Sequence, residues 1–247
     1  MSAAAERQRL DQVVSSYGEA YAPFDAAMRG YMMRTLAPHF RDGPCLQVGC
    51  AHGDETSHLA ERFTDLTVVE PARAFRESAA ARAPPSVRFV EGLVEDFETE
   101  RRFEAIFFSH VLEHVEDPVA CLKRLGELLS PTGRLFVVVP NAEAASRRIA
   151  VKLEVLEHLE TLSAADLAAG HRRVYRLDTL VAEARRAALG LVDTGGIFFK
   201  PLANFQFDAL MGGPLIGEAF MEGCYQLGKE HPTFCASIYL VAERRAA

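Results

Sequence analysis

The sequence predicts a doubly wound α/β fold with a mostly parallel sheet, and three observations lead there. Strand-like and helix-like segments alternate between residues 45 and 139, the pattern of parallel strands joined by crossover helices. A glycine-punctuated turn, Val48-Gly49-Cys50-Ala51-His52-Gly53, separates the first strand from the first crossover helix. An acid, Glu70, stands at the tip of the next strand. A glycine turn followed by such an acid is how a doubly wound sheet holds a nucleoside: the glycines let backbone approach the ligand, and the carboxylate accepts hydrogen bonds from both ribose hydroxyls.

The elements follow in order. Residues 5–40 read as helical with aromatic punctuation at Tyr17, Tyr21, Phe24 and Tyr31, and stop at the Asp42-Gly43-Pro44 turn. They form an N-terminal helical cap over residues 1–42, ahead of a main domain at 43–247. Strand 45–48, helix 54–63, strand 66–70, helix 73–83, the Pro84-Pro85 break and strand 87–91 come next. Strand 103–109 precedes a helix over 118–129, whose start is marked by Asp117 as cap acceptor and Pro118 at the first helical position.

The turn Ser130-Pro131-Thr132-Gly133 leads into strand 134–139, ending at Pro140-Asn141. Residues 142–167 read as one helix of mixed polarity, 177–188 as another, and 191–199 and 234–243 as the final strands. Residues 200–232 are too long for a tight hairpin and carry Phe205, Phe207, Met211, Met221 and Tyr225 at roughly helical spacing, which predicts a helical insertion over the sheet edge.

Composition narrows the function. With 247 residues, 49% hydrophobic and 25% charged, the chain is long enough for one large domain with an elaborated cap. A net charge of −7 and the lack of a Lys/Arg cluster argue against a nucleic-acid surface and favour a small-molecule substrate. The five cysteines are scattered and form no CxxC pair, as expected for reduced thiols in the cytoplasm. No run approaches the roughly 20 apolar residues of a membrane span, and the amino terminus has no apolar secretory core, so neither a membrane nor export is expected. No spacing of His, Asp and Glu reads as a metal site.

Four motifs in sequence, VGCAHG at 48–53, VVEP at 68–71, SHVLEHVEDP at 109–118 and SPTGRLFVVVPN at 130–141, give the chain a resemblance to the class I S-adenosylmethionine (SAM)-dependent methyltransferases. It is similar in particular to the small-molecule branch that includes the ubiquinone-biosynthesis O-methyltransferases. The resemblance is good over about 45–141 and holds only in outline elsewhere. It implies a Rossmann-like sheet of seven strands with the last one antiparallel, ligand binding at the carboxyl ends of the strands, SAM as cofactor and S-adenosylhomocysteine (SAH) as product.

Carried over by position, the resemblance implies that Gly49, Cys50, Ala51 and Gly53 line the methionine part of SAM and that Glu70, with Pro71, holds the ribose. Leu93 and Val94 would border adenine, and Ser109 and His110 would stand near the sulfonium at the tip of the fourth strand. Three positions depart from the family pattern. Gln47 replaces the usual acid before the glycine turn, Ala51 the usual middle glycine, and Leu93 an acid that many relatives direct at the adenine amino group.

Methyl transfer is an in-line displacement at the sulfonium methyl from about 3 Å, and an acidic hydroxyl acceptor profits from a base titrating near neutrality. His110 and His171 are the candidates, His171 preceding a helix where this family builds its substrate pocket; the alternatives are a helix-start hydrogen bond for His110 and a plain surface histidine for His171. His114 is expected to pack locally. Substrate contacts are expected from Tyr17 and Tyr21 of the cap, Asn141, His171, Lys200, Asn204 and Phe205, with specificity in segments 142–176 and 200–232, while Phe198 is assigned to the core. The insertion can act as a lid or as a homodimer contact.

The expected reaction is methylation of a small-molecule hydroxyl, with N- or C-methylation as alternatives on the same scaffold. An NAD-dependent oxidoreductase is disfavoured because Asp54 stands where that fingerprint has its third glycine. A catalytically silent SAM-binding fold-mate is the other alternative.

Overall fold

A computed structural model of the chain describes residues 9, 10, 13, 14 and 22–245. Its centre is a seven-stranded sheet of β1 (Cys45–Val48), β2 (Leu66–Val69), β3 (Arg88–Val90), β4 (Phe103–Ser109), β5 (Leu129–Pro140), β6 (Leu189–Phe199) and β7 (Cys235–Arg244). The spatial order is β3-β2-β1-β4-β5-β7-β6. The pairs among β1 to β5 are parallel, and β7 is antiparallel to both β5 and β6, so it is the one reversed strand. The winding direction reverses between β1 and β4, and a crevice opens there at the carboxyl ends of the strands.

Strands buried on both faces read as continuous apolar runs. β1, β2 and most of β4 are of this kind. Period-two alternation divides β4 between two cores. Ala105 and Phe107 face α1 (Pro23–Leu36) and α2 (Asp54–Arg62), in a core with Met32, Leu59, Phe63 and Phe136. Ile106 and Phe108 face α4 (Pro118–Leu128), with Leu122, Leu125, Leu135 and Val137. Phe107 and Phe136 stack at 4.6 Å between ring centroids on neighbouring strands. α3 (Arg73–Arg82) links β2 to β3. The start of α4 is as its sequence predicts: the Asp117 side chain accepts a 3.0 Å bond from the Ala120 N–H, with Pro118 in the first turn.

Two expectations are corrected. Residues 142–167 are not one helix but α5 (Ala145–Lys152) and α6 (Ala164–Ala168), neither burying a residue. A helix without a packed face has little beyond propensity to hold it. The chain instead turns at Glu154 (φ +59°), and Arg147 donates to the carbonyls of Leu159, at 3.1 Å, and Thr161. Ser163 and Asp166 then form a capping box that restarts the helix. Residues 130–133 lie within β5 rather than in a turn, beside a register irregularity between Phe103 and Ala105.

The predicted insertion forms α8 (Asn204–Leu210) and α9 (Glu218–Glu230), after α7 (Leu177–Arg186) and β6. It packs on edge strand β6 so closely that a Cβ on Gly228 would come within 2.8 Å of the Phe199 nitrogen. Phe24 of α1 stacks on Phe207 at 4.4 Å and meets Phe198 edge-on at 5.5 Å, joining cap to insertion. Phe198 is core, as expected. Tyr17 and Tyr21 lie outside the described residues, and among those described no helix is long and apolar enough to cross a membrane.

Gly53→Ala should destabilise the fold by about 2–3 kcal/mol, combining left-handed strain (φ +89°) with a Cβ 2.8 Å from Ala79 Cα. Gly30→Ala in α1, with nothing within 4 Å, should instead stabilise by about 0.5–1 kcal/mol. Urea unfolding midpoints of the two variants check both signs.

Candidate functional site: a nucleoside cleft at the strand tips

A cleft of about 440 Å³ opens at the carboxyl ends of β1, β2 and β4, within the usual size range of small-ligand sites. Its floor is the glycine turn. Gly49 has φ +76°, and any Cβ there would lie 2.6 Å from Val111 Cγ2. Ala51 is also left-handed (φ +41°), a conformation that strains an alanine by about 1 kcal/mol. The replacement of glycine at 51 therefore preserves the turn at the cost of strain. Gly53 completes the turn, its N–H donating to the Cys50 carbonyl at 2.9 Å.

Glu70 is almost fully buried on the cleft wall. Its Oε2 accepts the Cys50 N–H at 2.9 Å and its Oε1 the Ala72 N–H at 2.8 Å. Burial pushes its pKa up and these backbone bonds pull it back, leaving it raised. Each carboxylate oxygen has capacity for a second bond, so the group is positioned by backbone while still able to accept both hydroxyls of a ribose. Pro71, Leu93, Val94, Ser109 and His110 line the same cleft, as do Cys50 and Ala51.

His110 ends β4 with φ +55°. Its Nδ1 is 3.5 Å from Oε1 of Glu113 and its Nε2 is 3.5 Å from the Ser237 hydroxyl. Burial, then the Arg29 guanidinium, lowers its pKa; Glu113 opposes both without cancelling them. Glu113 is completely buried, and burial alone would raise its pKa, but His110 and the positive potential of His114 and His171 hold it low. His114 lines the cleft too, its Nδ1 3.3 Å from the Gly170 carbonyl and its Nε2 4.0 Å from Glu113.

His171 stands behind His114, ring centroids 4.8 Å apart, with its Nδ1 3.3 Å from Asp166; it does not line the cleft. Ligand-type atoms of Glu113, His114 and His171 come within 4.8 Å of one another, a grouping hidden in the sequence because His171 arrives from a distant segment. The structure thus brings His110 and the expected cofactor residues together except Gly53, which packs against Ala79 and does not line the cleft, and it leaves His171 one layer back.

The expected substrate contacts disperse. Asn141 is a joint: its Nδ2 donates to the Thr233 and Cys235 carbonyls, both at 2.9 Å, and its Oδ1 accepts the Glu143 N–H. Asn204 donates to Asp25 Oδ1 at 2.9 Å. Phe205 is 74% exposed, on the solvent face of α8, while Phe207 fills the core. Half-buried Lys200 lies over the Phe24 ring, its Nζ 5.7 Å from the centroid, and burial lowers its pKa to about 8.

Among the wall residues that sequence reading missed are Arg29 and Glu55. Arg29 sits on the buried side of α1 beside Met28 and Met32, and nothing in the local sequence marks it as a ligand contact. Glu55 did carry a signal, since it precedes Leu59 by one helical turn and so shares the buried face of α2.

A family model described as a methyltransferase domain matches residues 21–193. The chain belongs to that family, and it is a SAM-dependent methyltransferase of the class I, Rossmann-like fold. Among curated relatives it is 32% identical over 120 residues to trans-aconitate 2-methyltransferase of Deinococcus radiodurans, covering 47% of this chain and 46% of that protein. It is 29% identical over 190 residues to ubiquinone biosynthesis O-methyltransferase of Azorhizobium caulinodans, covering 74% and 69%.

Solved structures extend the likeness of fold. N-methyltransferase NodS of Bradyrhizobium japonicum, in complex with SAH, superposes with a TM-score of 0.62 at 14% identity, covering 98% of this chain and 99% of that one. The 1,6-didemethyltoxoflavin-N1-methyltransferase of Burkholderia thailandensis gives 0.61 at 20% identity, covering 98% and 89%. The cleft suits the cofactor: the glycine turn leaves room for a ligand against backbone, and Glu70 keeps lone pairs for a diol. Glu70→Ala should weaken SAH binding by about 1.5–3 kcal/mol, roughly ten- to hundredfold, in calorimetric titration.

Proposed function

We propose that the enzyme transfers the methyl group of SAM to a hydroxyl oxygen of a small molecule, with His110 as general base. The observation that carries this reading is the placement of an imidazole with a lowered pKa at the tip of β4, on the cleft wall, with a buried carboxylate behind it. The relative named an O-methyltransferase, which aligns over most of the chain, supports an oxygen acceptor.

SAM supplies a methyl group already activated by its positive sulfur. The protein's part is alignment, exclusion of water and removal of one proton. His110 is neutral near pH 7 and accepts the hydroxyl proton at Nε2 as the new C–O bond forms and the C–S bond breaks. Nδ1 lies 3.5 Å from Glu113 Oε1, whose negative charge stabilises the imidazolium that results.

Because the His110 pKa lies below its ordinary 6.5, the base form dominates above that pH; kcat/KM should rise with pH along a limb centred below 6.5 and then level off. His110→Gln should lower kcat by about 10²–10⁴-fold for a hydroxyl acceptor, and by much less for a carboxylate acceptor, which carries no proton to remove. A panel of phenols, carboxylates and amines with methyl-labelled SAM tests this directly. Label found only on amines, or a pH-independent rate unchanged in His110→Gln, would overturn the assignment. SAH binding without turnover on any acceptor would favour the silent fold-mate.

A further inference from the structure

The cleft is lined by a second buried carboxylate that the mechanism does not use. Glu55, in the first turn of α2, has its Oε1 2.8 Å from the Ser109 hydroxyl, which donates to it, and its Oε2 3.5 Å from the Gln47 amide nitrogen. Gln47 in turn accepts a 2.7 Å bond from the Thr56 hydroxyl at its Oε1. An acid at position 47 would face Glu55 in an apolar interior and repel it. The neutral amide donates instead, so the carboxylate absent from β1 is present eight residues further along the chain, in the first turn of α2.

Topology says which part of the ligand meets it. The order β2-β1-β4 sets Glu70, at the tip of β2, and the Glu55–Ser109 pair, at the tip of β4, on opposite sides of the glycine turn. With the ribose on Glu70 and adenine beyond it at Leu93 and Val94, the amino-acid end of the cofactor extends toward β4. That end is a zwitterion. The wall there presents one guanidinium, Arg29, whose charge acts on Glu55, and one carboxylate.

We propose that Glu55 binds the α-ammonium of the methionine moiety of SAM and SAH, so that recognition of the cofactor's amino group rests on an acid from α2 in place of one from β1. With Arg29 nearby the buried carboxylate is still pushed up to about 7, and an ammonium there adds the counter-charge that favours its ionised form. The inference concerns the cofactor and is independent of the acceptor and of His110 as base.

Proton linkage follows from the same geometry. Burial pushes the Glu55 pKa up to about 7, against the opposing effects of Arg29, Ser109 and Gln47. The groups facing it are Arg29 from α1, Gln47 and Cys45 from β1 and Ser109 from β4; the Cys45 thiol is pushed well above its ordinary value and stays protonated, and His110 titrates below 6.5. Glu55 is therefore the group in this set that titrates between pH 6 and 8, and ammonium binding should tighten as it ionises.

Calorimetric titration with SAH and with 5′-methylthioadenosine, which lacks the amino-acid end, separates this role from a structural one. Glu55→Gln should weaken SAH about tenfold or more and leave 5′-methylthioadenosine within about twofold. An equal loss for both ligands, or no loss for SAH, would overturn the proposal. Wild-type protein alone provides a second test that needs no variant to fold: SAH affinity should rise several-fold from pH 6 to pH 8, and the affinity of SAH lacking its amino group should not. Parallel pH profiles for the two ligands would likewise overturn it.

Discussion

The contact on which the site depends is the carboxylate of Glu70 bridging two backbone N–H groups, Cys50 in the glycine turn and Ala72 after β2. It fixes the turn to the neighbouring strand and holds the acid in one rotamer before any ligand arrives. Charged hydrogen bonds in a buried place are worth more than their exposed counterparts and cost more to break. The turn needs that anchor because it is strained: Ala51 holds a left-handed conformation between glycines that cannot accept a side chain. Preorganisation of the cofactor cleft is thus a local matter of one carboxylate and the backbone of one glycine turn.

Around it stands a second polar system, centred on Glu113. This carboxylate has no exposed surface and faces His110 and His114, with His171 adding its potential from behind. His171 is tied to Asp166, and Asp166 also caps α6 and receives Arg147. A run of contacts among ionisable side chains and rings therefore leads from the tip of β4 through Glu113, His114 and His171 to Asp166 and Arg147 in segment 142–176.

The parts of this architecture that could be read from sequence are those governed by local rules. Glycine spacing, the acid at the tip of β2 and the Asp117-Pro118 helix start each have a short-range physical cause, and each stands where expected. The count of seven strands with the last one reversed came from the family resemblance rather than from pattern, and the spatial order came from the structure. The long-range and packing-dependent features were not legible. Residues 142–167 have helical composition but no face to bury, so the helix breaks. Phe205 and Phe207 differ by two positions, and packing decides which one points outward. His171 reaches His114 only through tertiary folding, and Arg29 looks like any exposed helical arginine until α1 is laid against the sheet.

The position of β7 also bears on biosynthesis. It leaves the ribosome after β5 and β6, yet it lies between them in the sheet, with partners on both sides. Until it emerges, β5 has no partner on its outer side and β6 has no strand partner. Such edges are templates for pairing with other chains, and late non-local closure prolongs the interval in which they are open. The nascent chain therefore passes through a stage in which the cofactor half of the sheet is complete while the other half is a gap awaiting its keystone, the stage at which chaperone protection matters most.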